Sequence, residues 1–139
     1  MNATLTPIGS IETPYTTLEQ CPRNTEPDGP LCKLQLHAEL SEALLGLEAG
    51  RDILILYWFE HVDRTRRRQT SRKSGEYAGI FALRTPNRPN PIGAAVVRIE
   101  KIEGTTIYVR GLDCLSGTPL LDIKPARQGE DTAGENVRA

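Results

Sequence analysis

Metal and disulfide chemistry have little to work with in this chain. Three cysteines, Cys21, Cys32 and Cys114, and two histidines, His37 and His61, make no zinc-like spacing and no disulfide framework. An odd, scattered set of thiols points to a reducing compartment, so the cytoplasm is the expected location and no metal is expected. Long apolar runs are missing too. The longest, ILILYWF at Ile53–Phe59, is far too short to span a bilayer, so no membrane partner is expected. MNATLTPIGSIETPY lacks a basic region ahead of a long apolar stretch, and no signal peptide is expected. A net charge of −1 gives no overall pull toward nucleic acid or membrane, so any such affinity requires a local patch. There is no internal repeat, no low-complexity tract and no G-x-G-x-x-G, the fingerprint of a dinucleotide-binding crevice.

What is present suffices for one domain with a modest core: 139 residues, 38% hydrophobic and 25% charged. TPIGSIETPY reads as a first short strand ended by Pro14, and Thr16–Pro30, rich in Pro, Asn, Asp and Gly, reads as a loop. AELSEALLGLEAG sets Leu40, Leu44 and Leu47 on one helical face, with Gly46 or Gly50 to end the helix. DILILYWFEH is β-branched and aromatic, too apolar for a half-exposed strand, which makes it a central one. HVDRTRRRQTSRKSGE reads as a long basic loop and AGIFALR as the next strand. GAAVVRIEKIEGTTIYVRGLD reads as a hairpin turning at Glu103–Thr105. Val97, Ile99 and Lys101 share one face of its first strand; Ile107, Val109 and Gly111 share one face of its second. SGTPLLDIKP adds a turn and a last short strand, and the polar residues 126–139 are expected to form a flexible tail. With more strands than helices and no βαβ alternation, the fold class is mainly β. A small barrel-like sheet, closed or coiled, with one or two short helices fits best.

One stretch stands apart. GIFALRTPNRPNPIG, Gly79–Gly93, cannot be a helix interior, because each proline lacks an amide donor and restricts the residue before it. Arg84, Arg88 and Asn90 sit among Pro86, Pro89 and Pro91. Guanidinium forks suit carboxylates or phosphates, and proline bracing lowers the ordering cost of a binding loop. The same loop equally suits a rigid β-connection whose arginines pair with nearby acids. Arg64, Arg66, Arg67, Arg68, Arg72 and Lys73 put six cations in ten positions with no acid among them. That is either a phosphate-tracking arm for RNA or a solvated surface loop. LDCLSGTPLLDIKP carries Asp113, Asp122 and Lys124 around a Gly-Thr-Pro turn. The aspartates either hold a ribose or a cation or act as a base, or they reduce to turn chemistry and one Asp–Lys pair on a strand. His61 is a hydrogen-bonded strand end or a catalyst, and CPRNTEPDGP, with Arg23 and Asn24, is a ligand lid or a surface loop.

Together these segments go further. IGSIETPY, YWFEH, GIFALRTPNRPNPIG and LDCLSGTPLLDIKP closely resemble the TrmO/YaeB (TsaA-like) family over residues 5–125. The family's pattern is G-[VI]-F-A-T-R-S-x-x-R-P-N-P-I-G, followed by L-D-x-x-D-G-T-P-[VL]-x-D-I-K-P-Y. The resemblance implies an S-adenosylmethionine-dependent tRNA methyltransferase acting on N6 of threonylcarbamoyladenosine beside the anticodon. It implies a mostly β, barrel-like homodimer whose donor-binding domain here is residues 5–125. It assigns donor contacts to Pro22, Arg23 and Asn24, to His61 and Val62, to Arg84, Asn90 and Ala94, and to Asp113, Cys114 and Leu115. Arg84 or Arg23 suits the donor's carboxylate, and Asp113 suits its ribose hydroxyls or faces the sulfonium. Methyl transfer is then an in-line displacement driven by positioning, without a metal. Asp122, oriented by Lys124, is expected to handle the acceptor's proton. The basic run, with Arg88, becomes the RNA-binding rim.

The chain departs from the pattern at four places: Leu83 for threonine, Ala95 for a common serine, Ser116 for aspartate and Ala126 for tyrosine. Family members usually carry a separate C-terminal domain as well; here the grip on tRNA is expected from the basic loop and the dimer. Two other readings stay open, a methyltransferase of the same fold with a small-molecule acceptor and a donor-binding module without catalysis.

Overall fold

Alternating apolar residues, many of them β-branched, build the main sheet of this chain. The computed structural model describes residues 1–127 and 129–130. Its strands are β1 (Gly9–Glu12), β2 (Leu31–Leu36), β3 (Asp52–Trp58), β4 (Arg68–Thr70), β5 (Tyr77–Gly79), β6 (Ile92–Arg98), β7 (Lys101–Glu103), β8 (Thr106–Arg110) and β9 (Thr118–Pro125). Seven lie side by side in the order β6-β3-β9-β1-β2-β8-β7, while β4 and β5 form a separate two-stranded ribbon. All neighbouring strands run antiparallel.

The apolar strand β3 lies between β6 and β9, the central place its composition predicts. Ile53, Ile55 and Tyr57 point into the core and are fully buried, and Leu54, Leu56 and Trp58 on the other face are half-buried. Ile11, Leu34, Val97, Ile107, Val109 and Leu120 complete the core from the other strands. Burying each such side chain contributes about 1.5–3 kcal/mol. The sheet coils far enough to bring β6 beside β8. No ladder joins them, so among the described residues β6 and β7 are the edges of an open sheet. A coiled sheet is what forms, and a closed barrel is not.

Several local readings change. Ala38–Leu44 is a 3-10 helix, and the chain turns away at Gly46 (φ 96°) and Gly50 (φ 91°) before an α-helix has room to propagate. Leu40, Leu44 and Leu47 nonetheless stay half-buried, although Leu47 lies beyond the helix and Leu40 and Leu44 are four residues apart, one more than a 3-10 turn. The expected AGIFALR strand keeps only β5, after which Ile80–Ala82 forms another 3-10 turn. The expected basic loop contains β4, which pairs with β5. The expected long hairpin divides: β6 pairs with β3, and only β7 and β8 form the hairpin. Lys101 does not face the core with Val97 and Ile99; it is exposed and pairs with Glu103 at 2.8 Å. The last strand is eight residues long rather than short.

Ala126 N donates to Asp52 O at 3.1 Å, so the expected flexible tail begins with a fixed residue. Residues 128 and 131–139 of that expected tail lie outside the described residues. Cys32 and Cys114 are buried and Cys21 partly so, and the three form no disulfide among themselves. Burial pushes the Cys32 thiol above its ordinary range, which keeps it protonated and unreactive. No helix among the described residues is long and apolar enough to cross a membrane.

Candidate functional site

The proline loop is held as a rigid frame. Thr85 is buried, and its hydroxyl donates to Gln69 Oε1 at 3.0 Å while accepting Asn87 N at 3.2 Å. Gln69 Oε1 also accepts Asn87 Nδ2 at 3.2 Å and Arg66 Nη1 at 3.1 Å, so one amide oxygen ties the β4–β5 ribbon to the proline loop. Arg88 Nη1 turns inward and donates to Leu83 O and Thr85 O, both at 3.0 Å. Phe59 N donates to Pro91 O at 2.8 Å, which anchors the loop to the end of β3. Ordering such a loop before a ligand arrives removes part of the entropic cost of binding.

Two cavities border this frame. The first, about 490 Å³, is lined by Arg84, Asn90, Ala94 and Asp113 together with Tyr57 and Phe59. Arg84 Nη2 donates to Ala94 O at 3.4 Å, a long bond, and Asp113 is only 3% exposed. Tyr57 and Phe59 pack edge to face with ring centroids 5.3 Å apart. Gly93 makes room for them: a Cβ there would lie 2.6 Å from the Tyr57 ring and 2.7 Å from the Phe59 ring. The second cavity, about 440 Å³, is lined by Pro22, Arg23, His61, Val62 and Leu115, with Arg72 on it as well. His61 sits in the left-handed region (φ 59°), where a histidine is uncommon, and its exposed side chain lies 3.8 Å from Glu60.

The cavities adjoin. Phe59 lines both, and the segment Asp113–Leu115 runs from the first to the second, with the Cys114 side chain turned into the core between them. Both volumes lie in the usual range for small-molecule sites. Guanidinium groups, a buried carboxylate and aromatic walls suit an amphoteric ligand with a carboxylate, hydroxyls and a flat ring.

Nine of the eleven residues that the resemblance assigns to donor contact line these cavities; Asn24 and Cys114 do not. Asp122 and Lys124 lie elsewhere. They pair with each other at 3.4 Å, both about half exposed, in a third groove with Leu40, Leu44 and Ile123. Within one chain, the expected proton-handling pair is therefore not at the cavities. Arg88 also departs from its expected place on an RNA rim: its Nη1 holds the loop's own carbonyls, and the side chain lines the first cavity.

The basic run divides in the same way. Arg64 stacks on Trp58 with 5.2 Å to the ring centroid and donates to Pro89 O at 2.8 Å. Arg66 lies 3.6 Å from Asp63, and Arg67 donates to Thr65 O at 2.8 Å. The Thr65 hydroxyl and amide bond Asp63 Oδ1 at 2.7 and 2.9 Å and hold its carboxyl below the ordinary range, fixing the turn into the ribbon. Arg68, Arg72 and Lys73 extend into solvent. Gln69, Thr85, Tyr57 and Phe59 were not singled out by the sequence. Only Phe59, an aromatic ending the most apolar strand, carried a local signal.

Among the described residues, no group of three or more histidine, cysteine or acidic side chains could hold a metal ion. A sequence model of the tRNA-methyltransferase O N-terminal domain matches residues 10–132. The chain is 45% identical over 126 residues to the probable S-adenosyl-L-methionine-binding protein VirR of Rhizobium radiobacter, covering 91% of this chain and 72% of that protein. It is 33% identical to the human tRNA (adenine(37)-N6)-methyltransferase over 86% of its own length but only 29% of that protein's. Crystallographic TrmO from Pseudomonas aeruginosa superposes with a TM-score of 0.76 at 34% identity, covering 91% of this chain and 56% of that one. The chain thus spans little more than half of the TrmO chain it superposes on. With a family match over nearly its whole length, the chain belongs to the tRNA-methyltransferase O N-terminal domain family.

Proposed function

We propose that this chain binds S-adenosylmethionine where the two cavities meet and methylates N6 of threonylcarbamoyladenosine next to the tRNA anticodon, working as a homodimer in the cytoplasm. The observation that carries the reading is the convergence of nine expected donor-contact residues, drawn from four separate segments, on two adjoining cavities. The residues present fit the donor. Arg84 and Arg23 offer forks for its carboxylate, Asp113 an acceptor for its hydroxyls, and half-buried Phe59 an aromatic wall that lines both cavities. When bound, the donor supplies an electrophilic methyl group on a positively charged sulfur. The chain's part is then positioning: a preorganised loop holds the acceptor in line and excludes water. Asp122 and Lys124 take up the acceptor's proton only if a second copy brings its third groove to the cavities, which makes the dimer part of the proposal.

One observation favours a second reading, a module that binds the donor without transferring its methyl group. The VirR protein, most of whose length this chain spans, is named for donor binding, while the human protein named as a methyltransferase is much longer. A single-turnover experiment separates the two. Labelled S-adenosylmethionine is mixed with the chain and tRNA that either carries or lacks the threonylcarbamoyl group. Label is expected on the modified tRNA alone. Bound donor with no label on either tRNA would sink the methyltransferase reading and leave the second.

A further inference from the structure

The β4–β5 ribbon has two unlike faces. Residues alternate along each strand, and the register sets Gln69 opposite Ala78, Arg68 opposite Gly79 and Thr70 opposite Tyr77. Gln69 turns toward the proline loop and is half-buried, so Arg68, Thr70 and Tyr77 face outward. Gly79 adds nothing over Arg68; a Cβ there would meet only Arg67 O, at 3.9 Å. Immediately after the ribbon, buried Ile80 and a bond from its N to Arg67 O at 3.0 Å fix a 3-10 turn that holds Phe81 out in solvent.

Phe81 is 84% exposed and Tyr77 is 67% exposed. Among the described residues they are the only large aromatic side chains so exposed, and they lie four residues apart, on the ribbon and on the turn that follows it. Around them, residues 64–81 carry six cations against a single acid, Glu76. Of the six, Arg68, Arg72 and Lys73 extend into solvent, and Arg72 also reaches the second cavity. Exposed rings forgo burial free energy, and on a cationic ribbon they match a polymer that offers phosphates and flat faces together.

We propose that the outward face of the β4–β5 ribbon, with Phe81 beside it, is a stacking platform for unpaired RNA bases, flanked by Arg68, Arg72 and Lys73 as phosphate contacts. It rests on the RNA reading above and goes beyond it, assigning single-stranded RNA to a surface outside both cavities. The ring of Phe81 stacks one base, and the cations follow the backbone toward the second cavity. Sequence preference at the platform is weak, because every base has a stackable face.

The test uses a single-stranded oligoribonucleotide containing 2-aminopurine, whose fluorescence falls on stacking, and a duplex of equal length. Phe81→Ala is expected to weaken single-strand binding by roughly 5- to 100-fold and remove the quenching. Phe81→Trp should restore both, and duplex binding should hardly change. Arg68→Ala should weaken single strand and duplex alike and lower the salt slope by about one. Donor affinity and methyl transfer are measured alongside. Quenching by wild type without transfer to any tRNA would sink the methyltransferase reading and leave the platform standing. Single-strand affinity unchanged in a folded Phe81→Ala variant would overturn the platform. So would dissociation of a dimer into monomers by Phe81→Ala or Tyr77→Ala, which would assign the rings to a contact between copies.

Discussion

Replacing Arg84 by alanine is expected to weaken S-adenosylmethionine binding by roughly 10- to 100-fold while the fold survives. A hydrogen bond to a charged group contributes about 1.5–3 kcal/mol, and each 1.4 kcal/mol is about tenfold in affinity. Arg84 is exposed on the wall of the first cavity, so its truncation buries no orphaned group and leaves no core void, and the fold should survive. Arg88→Ala should act mainly on stability. That guanidinium holds two backbone carbonyls of the proline loop at 3.0 Å. Removing it leaves them without their donor in a half-buried site, a loss of about 1–3 kcal/mol in stability. Calorimetry and thermal melting on both variants separate the roles. Unchanged donor affinity in a folded Arg84→Ala variant would overturn the placement of the donor.

The second large effect is on stability. Gly111 lies in the left-handed region (φ 77°), and a Cβ there would lie 1.5 Å from Glu26 O. That approach is built in: Glu26 N donates to Gly111 O at 2.8 Å, and Gly111 N donates to Pro30 O at 2.9 Å. The loop carrying Pro22 and Arg23 is therefore docked backbone to backbone on this glycine. Gly111→Ala combines left-handed strain with overpacking, each about 1–3 kcal/mol, and should cost roughly 2–6 kcal/mol. It should also displace the loop and weaken donor binding. Gly75→Ala is the control, since Gly75 has a similar φ of 75° and nothing within 4 Å of the new Cβ. It should cost only the strain. Thermal melting checks both, and equal melting of Gly111→Ala and wild type would contradict the docking.

The elements legible in the sequence were those decided locally. The composition of β3 marked it as central, and Pro14 and the proline loop ended or excluded regular structure where the chain does turn. Pairing was not legible. Nothing near β6 says that its partner is β3, some forty residues earlier, rather than β8 just ahead. The leucines at 40, 44 and 47 have an α-helical spacing, and the positive-φ glycines at 46 and 50 break the segment before an α-helix forms. The site shows the same division. The motif residues at the cavities could be named from the sequence, but the two cavities and the Phe59 wall between them depend on tertiary folding. Gln69 is one polar residue inside a basic run, and only the folded ribbon brings three donors to its amide oxygen. Asp122 and Lys124 share a strand face as their spacing requires, but β9 carries that face to the third groove.

The most direct test is a calorimetric titration of the purified chain with S-adenosylmethionine, repeated with the demethylated product. Saturable binding close to one donor per chain is the predicted result. A folded protein that binds neither molecule, alone or in the presence of tRNA, would contradict the central claim that these cavities form a donor site.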